Sequence, residues 1–235
     1  MKVRANSLNF GEIGTLLRGQ VDYISSWMER WNVWRFGLHV IVIIIGAGFY
    51  GAAMGWWRDP QQAIFVAIKF PLIILLTIFG NSLINVMLAP LIGLDIPFRQ
   101  SFLAILMSFT IASAILGAFS PIIAFMVWNT PGIDTKGSTY CVIMLAHVAA
   151  IALAGIIGNA RLFQLLVRIG KSRTIAFRVL IVWLAGNLFL GSQLSWILRP
   201  FIGSPDLPVE FLRANAFHGN FYEAVLHSWR QIFNG

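Results

Sequence analysis

Five long apolar segments follow one another along the chain, separated by short polar stretches rich in Pro, Gly, Asn, Asp and Arg. A transmembrane helix needs about 20 consecutive apolar residues. Soluble domains contain roughly 25% charged residues, whereas this chain of 235 residues has 11% charged and 58% hydrophobic residues. The sequence therefore predicts an all-α polytopic membrane protein and leaves no length for a separate soluble domain.

Aromatic and cationic residues, together with Pro- and Gly-containing turns, mark the ends of the predicted segments. Five transmembrane helices are expected at about 36–57, 63–93, 101–128, 139–160 and 176–198, forming a membrane domain over 36–198. Residues 1–35 precede this domain and residues 199–235 follow it. Five crossings place the two termini on opposite sides of the membrane.

Both terminal segments repeat apolar residues at helical spacing, which predicts an amphipathic interfacial helix at each end. The N-terminal set is Ile13, Leu16, Leu17, Ile24, Trp27 and Trp31, and the C-terminal set is Phe221, Tyr222, Val225, Leu226, Trp229, Ile232 and Phe233. The residues expected to contact a partner or the interface are Trp27, Trp31, Phe221, Tyr222 and Trp229. Packing of the C-terminal helix on its own domain is an equal alternative.

Positive charge is unequal on the two sides of the predicted bundle. We name as side A the side of the N-terminus and of the turns after helices two and four, and as side B the opposite side. Side A holds Lys2, Arg4, Arg18, Arg30, Arg35, Arg99, Arg161, Arg168, Lys171 and Arg173, and side B holds Arg58, Lys136, Arg199, Arg213 and Arg230. The positive-inside rule predicts an N-terminus in the cytoplasm and a C-terminus outside it. The expected location is a bacterial cytoplasmic membrane, where the C-terminus would be periplasmic.

The net charge of +8 has a membrane explanation. The basic residues cluster beside apolar segments, which favours contact with anionic lipids over a nucleic-acid partner. A single cysteine, Cys141, excludes an intrachain disulfide and a multi-cysteine metal site. No metal site is expected.

Three polar residues, Thr77, Asn81 and Asn85, are four residues apart in the second predicted helix and therefore share one face. Because an asparagine exposed to lipid is costly, this face should point into the bundle. It serves either as a polar track for an ion or small solute or as a set of interhelical hydrogen bonds. The partners for such bonds would be Ser108, Thr110 or Ser113 on the third helix, or Asn187 on the fifth.

Lys69 is a basic residue within the second apolar segment, near side B. No acidic residue lies within any of the five predicted segments to pair with it. A lysine at this depth is expected to extend its side chain outward and reach lipid phosphate.

Two histidines, His39 and His147, lie inside the first and fourth predicted helices and are candidate ligands of a haem or chlorophyll. Their expected depths differ by roughly 10 Å at 1.5 Å per residue, which argues against one haem held by both. Bonding of each ring to a neighbouring helix is the favoured interpretation. No cofactor is therefore expected, with haem or chlorophyll as the lesser alternative.

Small residues recur at steps of four on two predicted helices, a spacing that lets helices approach closely. The first helix carries Ala47, Gly51 and Gly55, and the fourth carries Ala146, Ala150, Ala154 and Gly158. We expect these faces to pack the first helix against the fourth, or either helix against another subunit.

Recognisable catalytic motifs are absent from the sequence, which contains no G-x-S-x-G, no H-E-x-x-H and no G-x-x-x-x-G-K-[ST] pattern. Enzymatic activity is therefore not expected.

Between Asn81 and Phe125, one apolar helix ends, the short linker Phe98-Arg99-Gln100-Ser101-Phe102 follows, and the next helix carries the late Pro121. This arrangement resembles the Yip1-domain family of five-helix membrane proteins, particularly its bacterial members. The DLYGP-like and GYG-like motifs of the eukaryotic members are absent, so their Rab-GTPase interaction is not carried over. The resemblance implies a non-enzymatic membrane protein that binds other proteins or shapes the membrane.

Three functions remain open from the sequence. The leading one is an integral membrane scaffold or accessory subunit, whose partners are other membrane subunits or further copies of the chain. The alternative is a small transporter or channel, based on the polar track, Lys69 and a weak inverted echo between Gly80–Pro97 and Gly186–Pro208. A second alternative is a subunit that binds a pigment or haem.

Overall fold

The computed structural model describes residues 11–18, 33–131, 137–203 and 208–223. The described part contains six helices and no strand: α1 (Gly11–Arg18), α2 (Val33–Trp56), α3 (Pro60–Leu91), α4 (Phe98–Trp128), α5 (Gly137–Gly170) and α6 (Arg173–Leu198). Helices α2 to α6 are each long and apolar enough to cross a membrane. The predicted all-α polytopic class with five candidate spans is therefore confirmed.

Local sequence signals explain where these helices begin. The Asp59 carboxylate caps α3 by accepting the Gln61 backbone N–H at 2.7 Å, and Pro60 occupies the first turn, where no N–H is needed. The Ser172 hydroxyl accepts the Ile175 N–H at 3.4 Å in the same way at α6. Both caps follow short turns, so each reverses the chain between two long helices.

Successive long helices run in opposite directions because short connections join them. Helix α2 packs against both α3 and α4, α5 packs against α4, and α6 packs against α3 and α5. Helix α4 is the most buried of the five, whereas α5 and α6 expose most of their surface. The bundle thus has its core around α4 and an open flank formed by α5 and α6.

The fourth predicted helix was expected to end near residue 160, which is wrong, because α5 continues to Gly170. Hydropathy detects where an apolar run ends, but a helix continues through charged residues if they find partners. Arg161 Nη2 donates to the Leu17 carbonyl at 3.0 Å, and Leu162, Leu165 and Leu166 are buried. The last turns of α5 are therefore amphipathic and pack on the protein itself.

The N-terminal helix α1 also packs on the bundle. Ile13 and Leu16 are buried, and α1 contacts α4. Its apolar face therefore covers protein, where the sequence analysis expected the membrane surface. The predicted contact residues Trp27 and Trp31 lie outside the described residues, as does Trp229 at the other end of the chain.

Both small-residue ladders are used inside the bundle, but with other partners than expected. A Cβ at Gly55 would lie 2.6 Å from the Gln62 carbonyl of α3, and one at Gly158 would lie 2.7 Å from the Ser108 carbonyl of α4. Ala47, Ala150 and Ala154 are buried, Ala146 is half-buried, and Gly51 contacts α3. Gly55 and Gly158 thus meet α3 and α4, whereas Ala150 and Ala154 share a buried cluster with Tyr50 of α2. The spacing shows that a face is small without showing which helix meets it.

Candidate functional site

The Lys69 side chain lies near the side B end of α3 and is fully buried. Its ammonium donates to the carbonyl oxygens of Pro200 at 3.3 Å and Glu210 at 3.2 Å. Both acceptors belong to the tail that follows α6. The expected contact of Lys69 with lipid phosphate is therefore wrong, because the ammonium is buried and bonds to carbonyl oxygens of the chain's own backbone.

Two aromatic rings complete the surroundings of this ammonium. Lys69 Nζ lies 5.2 Å from the ring centroid of Phe211 and 5.9 Å from that of Phe65, and these two rings pack edge to face at 5.5 Å. A cation near an aromatic face gains about 0.5 to 2 kcal/mol. Carbonyl dipoles and ring faces, rather than a carboxylate, thus stabilise the positive charge.

Gln62 adds a second attachment for the tail, seven residues before Lys69 and so on the same face of α3. Its Nε2 donates to the carbonyl oxygens of Pro200 at 2.8 Å and Phe201 at 3.0 Å. We call Gln62 and Lys69 with these three carbonyls the tail clasp. Lys69 was identified from the sequence but Gln62 was not, although its spacing of seven residues from Lys69 was an available signal.

The tail chain also packs closely on Arg58. Gly203 has a φ of 90°, and a Cβ at this position would lie 2.8 Å from Arg58 Cγ. Only glycine fits both the backbone angle and the space. The clasp and Gly203 together hold the segment after α6 over the side B end of α2 and α3.

Positive charge is concentrated at the same end. The Arg199 guanidinium stacks 3.4 Å from the Trp196 ring centroid and donates to the Trp196 carbonyl at 3.1 Å. Burial, and next the positive charge of Arg213, lower the pKa of Arg199. The tail thus brings Arg213 into electrostatic range of the last residue before Pro200.

Two of the predicted contact residues, Phe221 and Tyr222, contact α6 of the same chain. The Tyr222 ring stacks on Phe189 at 5.4 Å, and its hydroxyl bonds to Ser192 Oγ at 2.8 Å. The Phe221 N–H donates to Gln193 Oε1 at 3.3 Å. Up to Glu223, where the described tail ends, the structure matches the alternative that this segment packs on its own domain.

The polar track lies between α3 and α6. Asn81 Nδ2 donates to Asn187 Oδ1 at 2.6 Å and to the Trp183 carbonyl at 3.1 Å. Gly186 lies directly against the Asn81 side chain, which explains how α6 approaches so closely. Of the partners considered from the sequence, Asn187 is the one that Asn81 meets.

Other polar atoms on this track are buried without a protein partner. They are Thr77 Oγ1, both polar side-chain atoms of Asn85, Asn81 Oδ1 and Trp183 Nε1. A buried polar group left without a hydrogen bond costs about 1 to 3 kcal/mol. The track therefore combines one closed hydrogen-bonded pair with donors and acceptors that suit water or a small polar molecule.

Each of the two membrane histidines bonds to a hydroxyl group on another helix. His39 Nδ1 lies 3.1 Å from Thr110 Oγ1, and His147 Nδ1 lies 2.9 Å from the Tyr50 hydroxyl. Both rings are buried. His39 and Tyr50 are eleven residues apart on α2, or about 16 Å, so the two histidines form separate interhelical contacts.

The fold and these contacts define an all-α integral membrane protein whose C-terminal tail is fixed to its own bundle. No protein-family model matches the chain, and neither the curated proteins nor the solved structures contain a match.

Proposed function

We propose that the chain is a non-enzymatic integral membrane scaffold or accessory subunit that presents its tail to a partner. The tail clasp is the observation that supports this proposal. Burying an ammonium group costs several kcal/mol, and at Lys69 this cost is offset by contacts that hold the tail in one place. A fixed tail at the membrane surface is suited to binding another protein.

The tail carries an apolar surface that a partner would cover. Phe217 is 77% exposed and Leu212 is 42% exposed, and both follow the clasp residues closely in sequence. Exposed apolar patches are typical of protein or membrane contact sites, and we propose that these two side chains contribute to one. The partner proposed is another membrane subunit, or a second copy of the chain, with an apolar surface at side B.

We also propose a relationship to the bacterial Yip1-domain family, and a non-enzymatic membrane protein that binds other proteins agrees with it. We place the protein in a bacterial cytoplasmic membrane with side A in the cytoplasm, following the charge asymmetry. The tail then meets its partner at the periplasmic surface.

The test is to extract the protein from its native membrane in mild detergent and to identify co-migrating chains on a native gel by mass spectrometry. We expect a discrete assembly that is lost in the Lys69→Met variant and kept in Arg18→Met, whose side chain is exposed at side A. Migration of the unmodified protein as a monomer would contradict the proposal, as would an assembly unaffected by Lys69→Met.

A second candidate function is passage of a small polar solute along the polar track. The unpartnered atoms of Thr77 and Asn85 favour it. Flux into liposomes should then fall when Asn81 and Asn85 are both replaced by Leu, and absence of flux through the unmodified protein removes this candidate. For His39 and His147 we propose a structural role in place of a haem or chlorophyll, because a hydroxyl group already orients each ring.

A further inference from the structure

A groove of about 590 Å³ lies between α5 and α6 on the open flank of the bundle. Its lining is almost entirely apolar and includes Ala152, Gly155 and Phe163 of α5 and Phe177 and Leu180 of α6. Asn159 is the polar residue of the lining, and its Nδ2 already donates to the Gly155 carbonyl at 2.8 Å. The groove therefore offers an apolar occupant contact along most of its length.

The dimensions of the groove match one leaflet of a bilayer. From Ala152 to Phe163 the α5 axis rises about 16 Å at 1.5 Å per residue, close to half of the hydrocarbon thickness of about 30 Å. The exposed ring of Phe177 lies on the outer rim, so the groove opens toward lipid. A single acyl chain that enters from side A fits this depth.

Positive charge marks the side A end of the groove. Lys171 and Arg173 lie in and directly after the α5–α6 turn and are exposed. Arg173 is four residues before Phe177, on the same face of α6. No Asp or Glu occurs between Asp134 and Asp206 in the sequence.

We propose that the groove binds one acyl chain of an anionic phospholipid whose phosphate lies at the α5–α6 turn near Lys171 and Arg173. Basic pockets between transmembrane helices recognise such headgroups. Two features favour a lipid over a partner helix. The cations at one end complement a phosphate, and the groove is one leaflet deep, which is the length of an acyl chain. This site is independent of the tail and of the partner proposed there.

Native mass spectrometry of the full chain in mild detergent tests the headgroup. The probes are phosphatidylglycerol and phosphatidylcholine with identical acyl chains. We expect stronger retention of phosphatidylglycerol, reduced about fivefold by each of Lys171→Gln and Arg173→Gln, since one surface cation contributes about a factor of five to binding an anionic lipid. Retention of phosphatidylcholine should not change. Equal retention of the two lipids by the unmodified protein would overturn the proposal.

Gly155→Leu tests the groove itself. A Cβ at Gly155 meets no heavy atom within 4 Å, so the larger side chain fills the groove without a clash in the bundle. We expect one fewer bound phosphatidylglycerol and unchanged thermal stability. Gly37→Leu is the matched control, because Gly37 also has open space but lies on α2. An unchanged lipid count in Gly155→Leu contradicts the proposal, and loss of a co-purifying protein instead of a lipid identifies the occupant as a partner helix.

Discussion

Asn81 Nδ2 donates a hydrogen bond to Asn187 Oδ1 at 2.6 Å and thereby joins α3 to α6 inside the apolar part of the bundle. Two asparagines that are 106 residues apart in the sequence thus share one interhelical hydrogen bond. Interhelical hydrogen bonds between membrane helices contribute about 0.6 kcal/mol on average. Loss of one asparagine lowers the free energy of unfolding by more than this value, because the other amide stays buried without its hydrogen-bond partner.

Replacement of Asn81 by Leu should therefore lower the free energy of unfolding by about 1 to 3 kcal/mol. The double variant Asn81→Leu, Asn187→Leu should be more stable than the sum of the two single effects predicts, because it leaves no unpaired amide of this pair. Unfolding in mixed micelles of increasing SDS content measures both values. Additive effects would show that the two side chains are not coupled.

Gly55→Val should destabilise the bundle. The new Cβ would lie 2.6 Å from the Gln62 backbone oxygen, so α2 and α3 must separate. Forced overpacking of this kind costs about 1 to 3 kcal/mol. Gly37→Val is the control without a close neighbour, and equal melting temperatures of the two variants would contradict the close approach of α2 to α3.

Tyr50→Phe should destabilise the protein more than Tyr222→Phe. The first change leaves the buried Nδ1 of His147 without its hydroxyl partner, at a cost of about 1 to 3 kcal/mol. The second removes a hydroxyl whose partner, Ser192 Oγ, keeps another hydrogen bond, to the Leu188 carbonyl at 2.6 Å. Thermal unfolding of the two variants in the same detergent gives the comparison. A larger loss in Tyr222→Phe would mean that His147 does not depend on Tyr50.

Lys69→Met should release the tail without unfolding the five long helices. Trypsin should then cleave after Arg213 faster than in the unmodified protein, because the Glu210 carbonyl three residues earlier loses its donor. Arg18→Met, a change at an exposed cation of α1, should leave this cleavage rate unchanged. An equal rate in the Lys69→Met variant would show that Gln62 alone keeps the tail in place.

Local sequence signals predicted the number of helices and the orientation of the polar track. The lengths of the apolar segments predict the number of helices, and the spacing of Thr77, Asn81 and Asn85 predicts the face on which the polar track lies. Both depend on residues within one helix. The end of α5 was missed because Arg161 finds its partner in Leu17, 144 residues earlier in the chain, which no local pattern reveals.

The environment of Lys69 was missed for the same kind of reason. The sequence shows a lysine in an apolar run, and lipid phosphate is the ordinary solution for such a residue. Its actual acceptors are backbone carbonyls 131 and 141 residues away, and a carbonyl carries no side-chain signature. The contacts of the small-residue ladders are likewise set by the path of the chain between helices.

The tail clasp also has a consequence for biogenesis. Its donors are on α3, whereas its acceptors follow α6, the last of the five long helices to be synthesised. While the chain is being inserted, the Lys69 ammonium has none of its final acceptors, and it acquires them only when the fifth crossing is complete and the following segment has returned to α3. A chain that stalls before α6 would keep the Lys69 ammonium in its bundle without hydrogen-bond acceptors. Membrane quality control could distinguish unfinished from finished protein by this unsatisfied cation.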